Sequence, residues 1–367
     1  MKAVVVTNTN EYDIEDIELQ SPKTNEIKVK LEAAGLCHSD LSLINGTVES
    51  PLPMVLGHEG AGIVTEVGPG TTRFSIGDHV VFTAQPVCGQ CYNCMRADFV
   101  NCEFQPLEKL LGGTMPDGSC RFKRKDGQPL TSFMGIGCLA EEAVVHESFA
   151  VKIADHHSMK HACITGCGVL TGAGGAVFGG DIRVGDTVVI LGCGGVGLSA
   201  IQGARIAGAR AIIAVDIADN KLQMAEEFGA TDIINGSNEN AIECVHRVLG
   251  HGADTVLECA GVPALTEQGF HMLRTGGTLV QIGVPELDQT LPISSALLTL
   301  TGKTIKAGKY GDNNPQTDIP MLLDFHHQGR LDLDRMVSKT YAIDEIHQAF
   351  TDMQENVNAK GVIVFGQ

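Results

Sequence analysis

Positive charge is scarce in this chain of 367 residues: 26 Lys and Arg stand against 44 Asp and Glu, a formal net charge of −18 at neutral pH. So acidic a surface repels nucleic-acid backbones and anionic membranes, and neither is expected as a partner. Charge of either sign is also thin, at 19% of residues, against an ordinary average of about 25%. That argues against extreme halophily. No stretch approaches the ~18 uninterrupted apolar residues that read as a membrane-spanning helix. The opening residues, MKAVVVTNTNEYDIEDIELQ, carry only a four-residue apolar run before acidic residues take over, so no secretory signal is read there. Repeats of fixed period and low-complexity tracts are missing too. The expectation is a cytoplasmic protein whose twelve cysteines are kept reduced, where close spacing suggests metal rather than disulfides.

What is present is apolar residue and glycine. Hydrophobic residues make up 43%, and 44 residues are glycine, which implies many tight turns and close backbone approaches. At about 150 residues per domain the length suggests two or three domains, each able to bury a core without disulfides. Residues 1–150 read as β-rich and irregular, with short apolar runs such as Ile27–Leu31 and Gly62–Val67 between Gly, Pro and Asn punctuation. Residues 105–137 read as loop, with DG turns at 117–118 and 126–127. From Gly185 the texture changes: apolar strands end at Leu191, Val215, Glu258 and Ile282, with helical patterns at Gly195–Ala209 and Asn220–Phe228 between them. Such alternation argues βαβ units and a doubly wound parallel sheet in an α/β protein. From Pro320 the chain returns to helices and a last strand, Gly361–Phe365.

The clearest local signal is Cys88-Gly-Gln-Cys91-Tyr-Asn-Cys94, with Cys102 after seven further residues. Four thiolates within so short a loop can close a tetrahedron around one zinc, leaving no position open for chemistry. An iron–sulfur cluster also uses CxxCxxC spacing and is the rival reading. Four unrelated buried cysteines are the bland one. Three other candidate ligands lie far apart, Cys37 in GLCHSD, His58 in GHEGAG and Cys167 in TGCGVLTG. Each alone reads as an ordinary buried residue. Their shared glycine-rich settings favour a catalytic metal held by three protein ligands with one position open.

These segments, in order, resemble the zinc-dependent medium-chain alcohol dehydrogenase family over nearly the whole chain: GLCHSD, GHEGAGIV, CGQCYNC with Cys102, TMPDGSCRF, TGCGVLTG and GCGGVG. The resemblance implies a discontinuous GroES-like β-rich catalytic domain, residues 1–167 and 310–367, around an inserted Rossmann coenzyme domain, 168–309. It implies that Cys37, His58 and Cys167 hold a catalytic zinc, a Cys₂His set typical of alcohol dehydrogenase. Asp40 then accepts from the His58 ring and orients it. Glu59 is a transient ligand, an electrostatic neighbour, or simply a buried structural carboxylate. With zinc in the cysteine loop, two zinc ions per chain are expected.

Gly192-Cys-Gly194-Gly195-Val196-Gly197 follows the strand TVVIL and opens a helical pattern. A lone GxGxxG is weak, but in that position the glycines let backbone N–H groups approach a pyrophosphate at the helix N-terminus. Asp216 lies nineteen residues beyond Gly197, where its carboxylate can accept from ribose hydroxyls and repel a 2′-phosphate, favouring NAD over NADP. The resemblance adds Lys221 at that ribose, Thr171 against the nicotinamide, and His38 and Lys360 at the pyrophosphate. Lys360 stands where many relatives carry Arg, which loses bidentate phosphate contact.

The implied reaction is reversible hydride transfer between a primary or secondary alcohol and NAD, with Ser39 taking the alcohol proton. Ser39 as a mere cap of a helix starting near Asp40 is the structural alternative. Where relatives pass that proton onward through His, this chain has Ser42, which cannot store a proton near neutrality. Val48, Ala84 and Leu139 align with an alcohol pocket, and the small Ala84 suggests a bulky or aromatic alcohol; core packing is their bland reading. A rival on the same fold is S-(hydroxymethyl)glutathione dehydrogenase, whose members carry Arg where this chain has Pro106. Polyol dehydrogenase, and a zinc-free quinone-reductase-like or non-enzymatic nucleotide binder, are further rivals; the intact Cys37, His58 and Cys167 speak against them. The segment between Cys102 and Cys138 and the apolar stretch 291–300 resemble the dimeric branch, so a homodimer through the coenzyme domains is expected.

Overall fold

Ile27, Val29 and Leu31 are buried while Lys30 points outward, so Glu26–Gly35 begins as an alternating strand with one face in the core. The computed structural model describes residues 1–104, 106–286 and 288–366. Glu26–Gly35 pairs antiparallel with Glu59–Val67, with Glu142–His146 and with Lys360–Val364. Together with His79–Phe82, Ala150–Ile153 and Val337–Tyr341 these form a seven-stranded sheet. Its central strand is thus flanked by one of the last segments of the chain: Val362 lies opposite Gly35. The first compact unit accordingly comprises Met1–Cys167, Asn314–His327 and Leu333–Gln367, the second Gly168–Asn313 and Gln328–Asp332. The return therefore begins at Asn314 rather than at 310, and residues 328–332 cluster with the second unit.

The second unit holds six parallel strands: Thr187–Leu191, Ala211–Asp216, Asp232–Asn235, Ala253–Glu258, Leu273–Gln281 and Thr304–Ala307. Numbered along the chain, their spatial order is 3-2-1-4-5-6, so the sheet reverses direction of growth between the first and fourth strands. That reversal opens a crevice at their carboxyl ends, the position where such sheets bind dinucleotides. Both faces of the first strand are buried, which is why TVVIL carries no polar alternation.

Several boundaries differ from the sequence reading. Residues 105–137 are not all loop. Gln105 lies outside the described residues, but Leu107–Gly112 is helical, and Phe122–Lys123 pairs with Pro129–Ser132. The tail helix spans Pro315–His327 and contains Pro320 instead of starting there. The apolar stretch 291–300 lies at the margin of the core: Ile293 and Leu298 pack against it, partly buried, and the helix Ser295–Thr301 has no fully buried residue. Among the described residues no single helix is long and apolar enough to cross a membrane.

Within TMPDGSCRF the structure reveals a fully buried arginine. Arg121 is 0% exposed and grips Glu26 with two hydrogen bonds, Nε to Oε2 at 2.7 Å and Nη2 to Oε1 at 2.5 Å. The same guanidinium reaches Asp117 at 3.2 Å, whose carboxyl is held far below the usual range by Ser119, Lys23 and Arg121 against the cost of burial. Removing one partner strands the other charge in the core. Arg121→Met is expected to cost about 3–5 kcal/mol of folding stability in urea titration. Lys2→Ala, which breaks the exposed Lys2–Asp344 pair, should cost less than about 1 kcal/mol.

Candidate metal centres and coenzyme site

Strand register assembles the dispersed site. Gly35 lies opposite Glu59, so Cys37, just past one strand, meets His58, just before the other. Cys167 follows the 3₁₀ turn Cys163–Gly166, which approaches the neighbouring strand because Gly166 lacks a side chain: a Cβ there would lie 1.9 Å from the Phe82 carbonyl oxygen. The ligand atoms of Cys37, His58, Glu59 and Cys167 all fall within 4.8 Å of one another.

One carboxylate braces two of these ligand loops. Cys37 N-caps the helix His38–Ile44, and Asp40 in its first turn accepts the Cys37 N–H at 3.2 Å. Its other oxygen accepts the Gly57 N–H at 3.1 Å and stands 3.5 Å from His58 Nδ1. The helix starts at His38, so Ser39 sits inside its first turn and is not its cap. The Ser39 hydroxyl is 3.7 Å from the Cys37 sulfur.

The electrostatics are those of a site built for a cation. Burial opposes charging His58, yet Asp40 and Cys37 raise its pKa well above the usual value. A hydrogen bond from Cys167 pulls the Cys37 thiol well down against burial, with help from His58. The Cys167 thiol, donating to Cys37 and buried, is pushed well up. His58 is wholly buried, and its Nε2 has no hydrogen-bond partner. An imidazole nitrogen without a partner beside two sulfurs and a carboxylate is a donor set suited to a borderline ion such as zinc.

Behind the ligands lies a contact that the sequence did not announce. Lys360, from one of the last strands, places Nζ at 2.7 Å from Glu59 Oε2 and 2.9 Å from the Leu36 carbonyl. Burial lifts the Glu59 carboxyl to about 7 although Lys360 counteracts it, while the carboxylate raises Lys360 against its own burial. The ammonium expected at the pyrophosphate is therefore engaged with Glu59. Adjacent motifs carry no signal for this pairing, because its partners are 301 residues apart.

In the cysteine loop, Cys88, Cys91, Cys94 and Cys102 converge to the same limit. Backbone N–H groups of Cys94 and Glu103 point at the Cys91 sulfur, each at 3.5 Å, and that of Cys88 at Cys102 at 3.4 Å. The bonds to Cys91 draw its thiol down to about 6, whereas burial pushes Cys102 up to about 12. Four sulfurs so close cannot all ionise without a cation among them, and a closed tetrahedral zinc meets that need. Pro106, beside the loop, is the N-cap of helix Leu107–Gly112.

In the second unit the glycine turn leads directly into the helix Gly195–Ala207. Gly192 has φ +91°, and a Cβ on Gly197 would lie 1.8 Å from the Gly192 oxygen, so neither position admits a side chain. A Cβ on Gly194 meets nothing within 4 Å, leaving the amide end of the helix open to an anion, with Gly195 and Val196 half-buried beside it. Asp216 ends the second strand and accepts the Cys193 N–H at 2.7 Å as well as those of Ile217 and Ala218. Lys221 lies in the first turn of Asp219–Phe228, half-buried, and Thr171 is half-buried in the π-helix Leu170–Gly179. His38 is exposed and, with Lys360, belongs to the first unit. Of the expected pocket residues only Val48 is partly exposed. Ala84 and Leu139 are 0% exposed and lie among the buried apolar residues of the first unit.

Known proteins match this arrangement closely. Residues 23–155 match the family model described as an alcohol dehydrogenase GroES-like domain, and residues 195–327 that of a zinc-binding dehydrogenase. The chain is 38% identical to the NDMA-dependent alcohol dehydrogenase of Amycolatopsis methanolica, over 99% of this chain and 98% of that one. The chain belongs to the zinc-dependent medium-chain dehydrogenase/reductase family. This zinc alcohol dehydrogenase is also 32% identical to the S-(hydroxymethyl)glutathione dehydrogenase of Paracoccus denitrificans, over 99% of both chains. Among solved structures it superposes on benzyl alcohol dehydrogenase from Acinetobacter calcoaceticus with a TM-score of 0.93 at 31% identity, covering 100% of this chain and 99% of that one.

The two metal centres of this dehydrogenase are expected to answer differently to substitution. Cys91→Ala should lower the metal content by one ion per chain and cost several kcal/mol in urea unfolding, since closed zinc sites contribute folding free energy directly. Cys167→Ala should abolish alcohol oxidation with little change in the unfolding midpoint. Elemental analysis beside the unfolding curves checks both; equal destabilisation would contradict the division.

Proposed function

We propose that the chain catalyses reversible hydride transfer between a primary or secondary alcohol and NAD, yielding the aldehyde or ketone. The observation that carries the coenzyme choice is Asp216, whose carboxylate ends the strand beside the glycine turn and holds the Cys193 amide. A carboxylate there favours free ribose hydroxyls and repels a 2′-phosphate. Lys221 and Thr171 would contact the ribose and the nicotinamide, which supplies the hydride acceptor when bound. Cys37, His58 and Cys167 would hold the catalytic zinc, whose Lewis acidity lowers the pKa of an alcohol hydroxyl. Cys88, Cys91, Cys94 and Cys102 would hold the structural one.

Ser39 is the hydroxyl set to receive the alcohol proton. Ser42 lies three residues on in the same helix, His38–Ile44, so the two hydroxyls share a face. A pair of hydroxyls can pass a proton but not retain one near neutrality, so the relay ends in water. Lys360 pairs with Glu59 at 2.7 Å and would offset the charge of that carboxylate, limiting the negative charge beside the ligands. For the substrate, the likeness to an enzyme named benzyl alcohol dehydrogenase favours an aromatic alcohol. Ala84, being buried, adds nothing to that choice. Pro106 speaks against a glutathione adduct, because it offers no cation to a substrate carboxylate.

We also propose a homodimer through the coenzyme domains. Among the described residues strand Thr304–Ala307 pairs on one side only, with Leu273–Gln281, and the exposed Leu297 and Leu300 would be covered by a second copy. Light scattering at micromolar concentration should give the mass of two chains; one or four would refute the dimer.

The reaction is tested with the purified protein on aliphatic, aromatic and thiol-adduct alcohols, with NAD or NDMA as acceptor. NADH absorbance should rise fastest with an aromatic alcohol; turnover with NDMA alone would overturn free NAD as the acceptor. Asp216→Ala is expected to raise KM for NAD about tenfold or more, from two lost charge-assisted hydrogen bonds, and to improve use of NADP. Unchanged constants with both coenzymes would show that Asp216 does not face the ribose.

A further inference from the structure

Two histidine-containing clusters lie in the first unit as groups separate from the two that contain cysteine. His156 and His157 form the turn before the helix Met159–Ala162. Asp324 and His327 lie three residues apart in the last turn of Pro315–His327, on one face of that helix. The ligand atoms of His156, His157 and Asp324 fall within 4.8 Å of one another. His157 Nε2 is 3.8 Å from Asp324 Oδ1, and the His156 ring lies 4.0 Å from that of His157 and 5.1 Å from that of His327.

In tetrahedral coordination with bonds of about 2.0–2.1 Å, ligand atoms stand about 3.3–3.5 Å apart. The observed separations close to that value by side-chain rotation alone, since His156, His327 and Asp324 are exposed. A second triad, His161, His326 and Asp334, also meets the distance limit but is less ready. Leu333 donates its N–H to His326 Nδ1 at 3.4 Å, which leaves the proton of the neutral ring on Nε2.

We propose that His156, His157 and Asp324, with His327 beside them, form a further metal site that takes a divalent transition ion favouring imidazole, such as Zn²⁺ or Ni²⁺. Water completes the coordination. The ion clips the turn at residues 156–157 to the end of the helix Pro315–His327, joining two segments of the first unit that are distant in sequence.

The test uses the full-length protein, dialysed to constant metal content by elemental analysis and then titrated with Zn²⁺ by calorimetry. One additional ion per chain should bind with micromolar affinity and raise the thermal midpoint by a few degrees. The double variant His156→Asn/His327→Asn, altered only at exposed positions, should bind it about tenfold or more weakly and lose the thermal shift, while alcohol oxidation before titration is unchanged. Asp324→Asn should behave alike. Absence of binding beyond the dialysed state, or equal affinity in the double variant, would overturn the proposal.

Discussion

The register of two strands governs this molecule. Because Gly35 is paired with Glu59, the two loops leaving those strands converge, and one buried carboxylate, Asp40, accepts amides from both. A slip of one residue would turn every side chain of the strand to the opposite face of the sheet. It would separate the sulfur from the imidazole and expose Ile27, Val29 and Leu31 together. Stability and chemistry therefore draw on the same pairing, and the glycine at position 35 marks the constraint. A Cβ there would lie 2.3 Å from a Glu59 oxygen.

What was legible in the sequence was whatever is local. The cysteine loop closes within fifteen residues, so its spacing alone announces a metal. The glycine turn and Asp216 sit at the two ends of consecutive strand–helix units, and the 3.6-residue and unbroken apolar patterns between them are readable. Pairing across hundreds of residues is not: nothing in KGVIV states that its lysine faces Glu59, or that Arg121 is buried against Glu26. Ala84 shows the reverse hazard. Its alignment with pocket positions was plain, but only three-dimensional packing decides whether a small side chain leaves a space or fills one.

The two cysteine-rich centres handle negative charge in different ways. In the loop, backbone amides from Cys88, Cys94 and Glu103 spread the burden over dipoles near the surface. In the buried site full charges compensate one another: Asp40 against His58, Lys360 against Glu59. The first arrangement suits a fastener, the second a reaction centre whose charge must stay balanced.

The ion pair between Glu59 and Lys360 also has a consequence for how the chain acquires its chemistry during synthesis. Contacts between residues so far apart form late, because the entropy of closing so large a loop must be met first. During synthesis the cysteine loop and the first strands emerge long before Lys360 leaves the ribosome. Until then Glu59 lacks its counter-charge, and burying it beside two sulfurs is unfavourable. The nascent protein thus has the four cysteines of the loop available early, while the cluster of Cys37, His58, Glu59 and Cys167 gains its electrostatic balance only when the strand Lys360–Val364 docks.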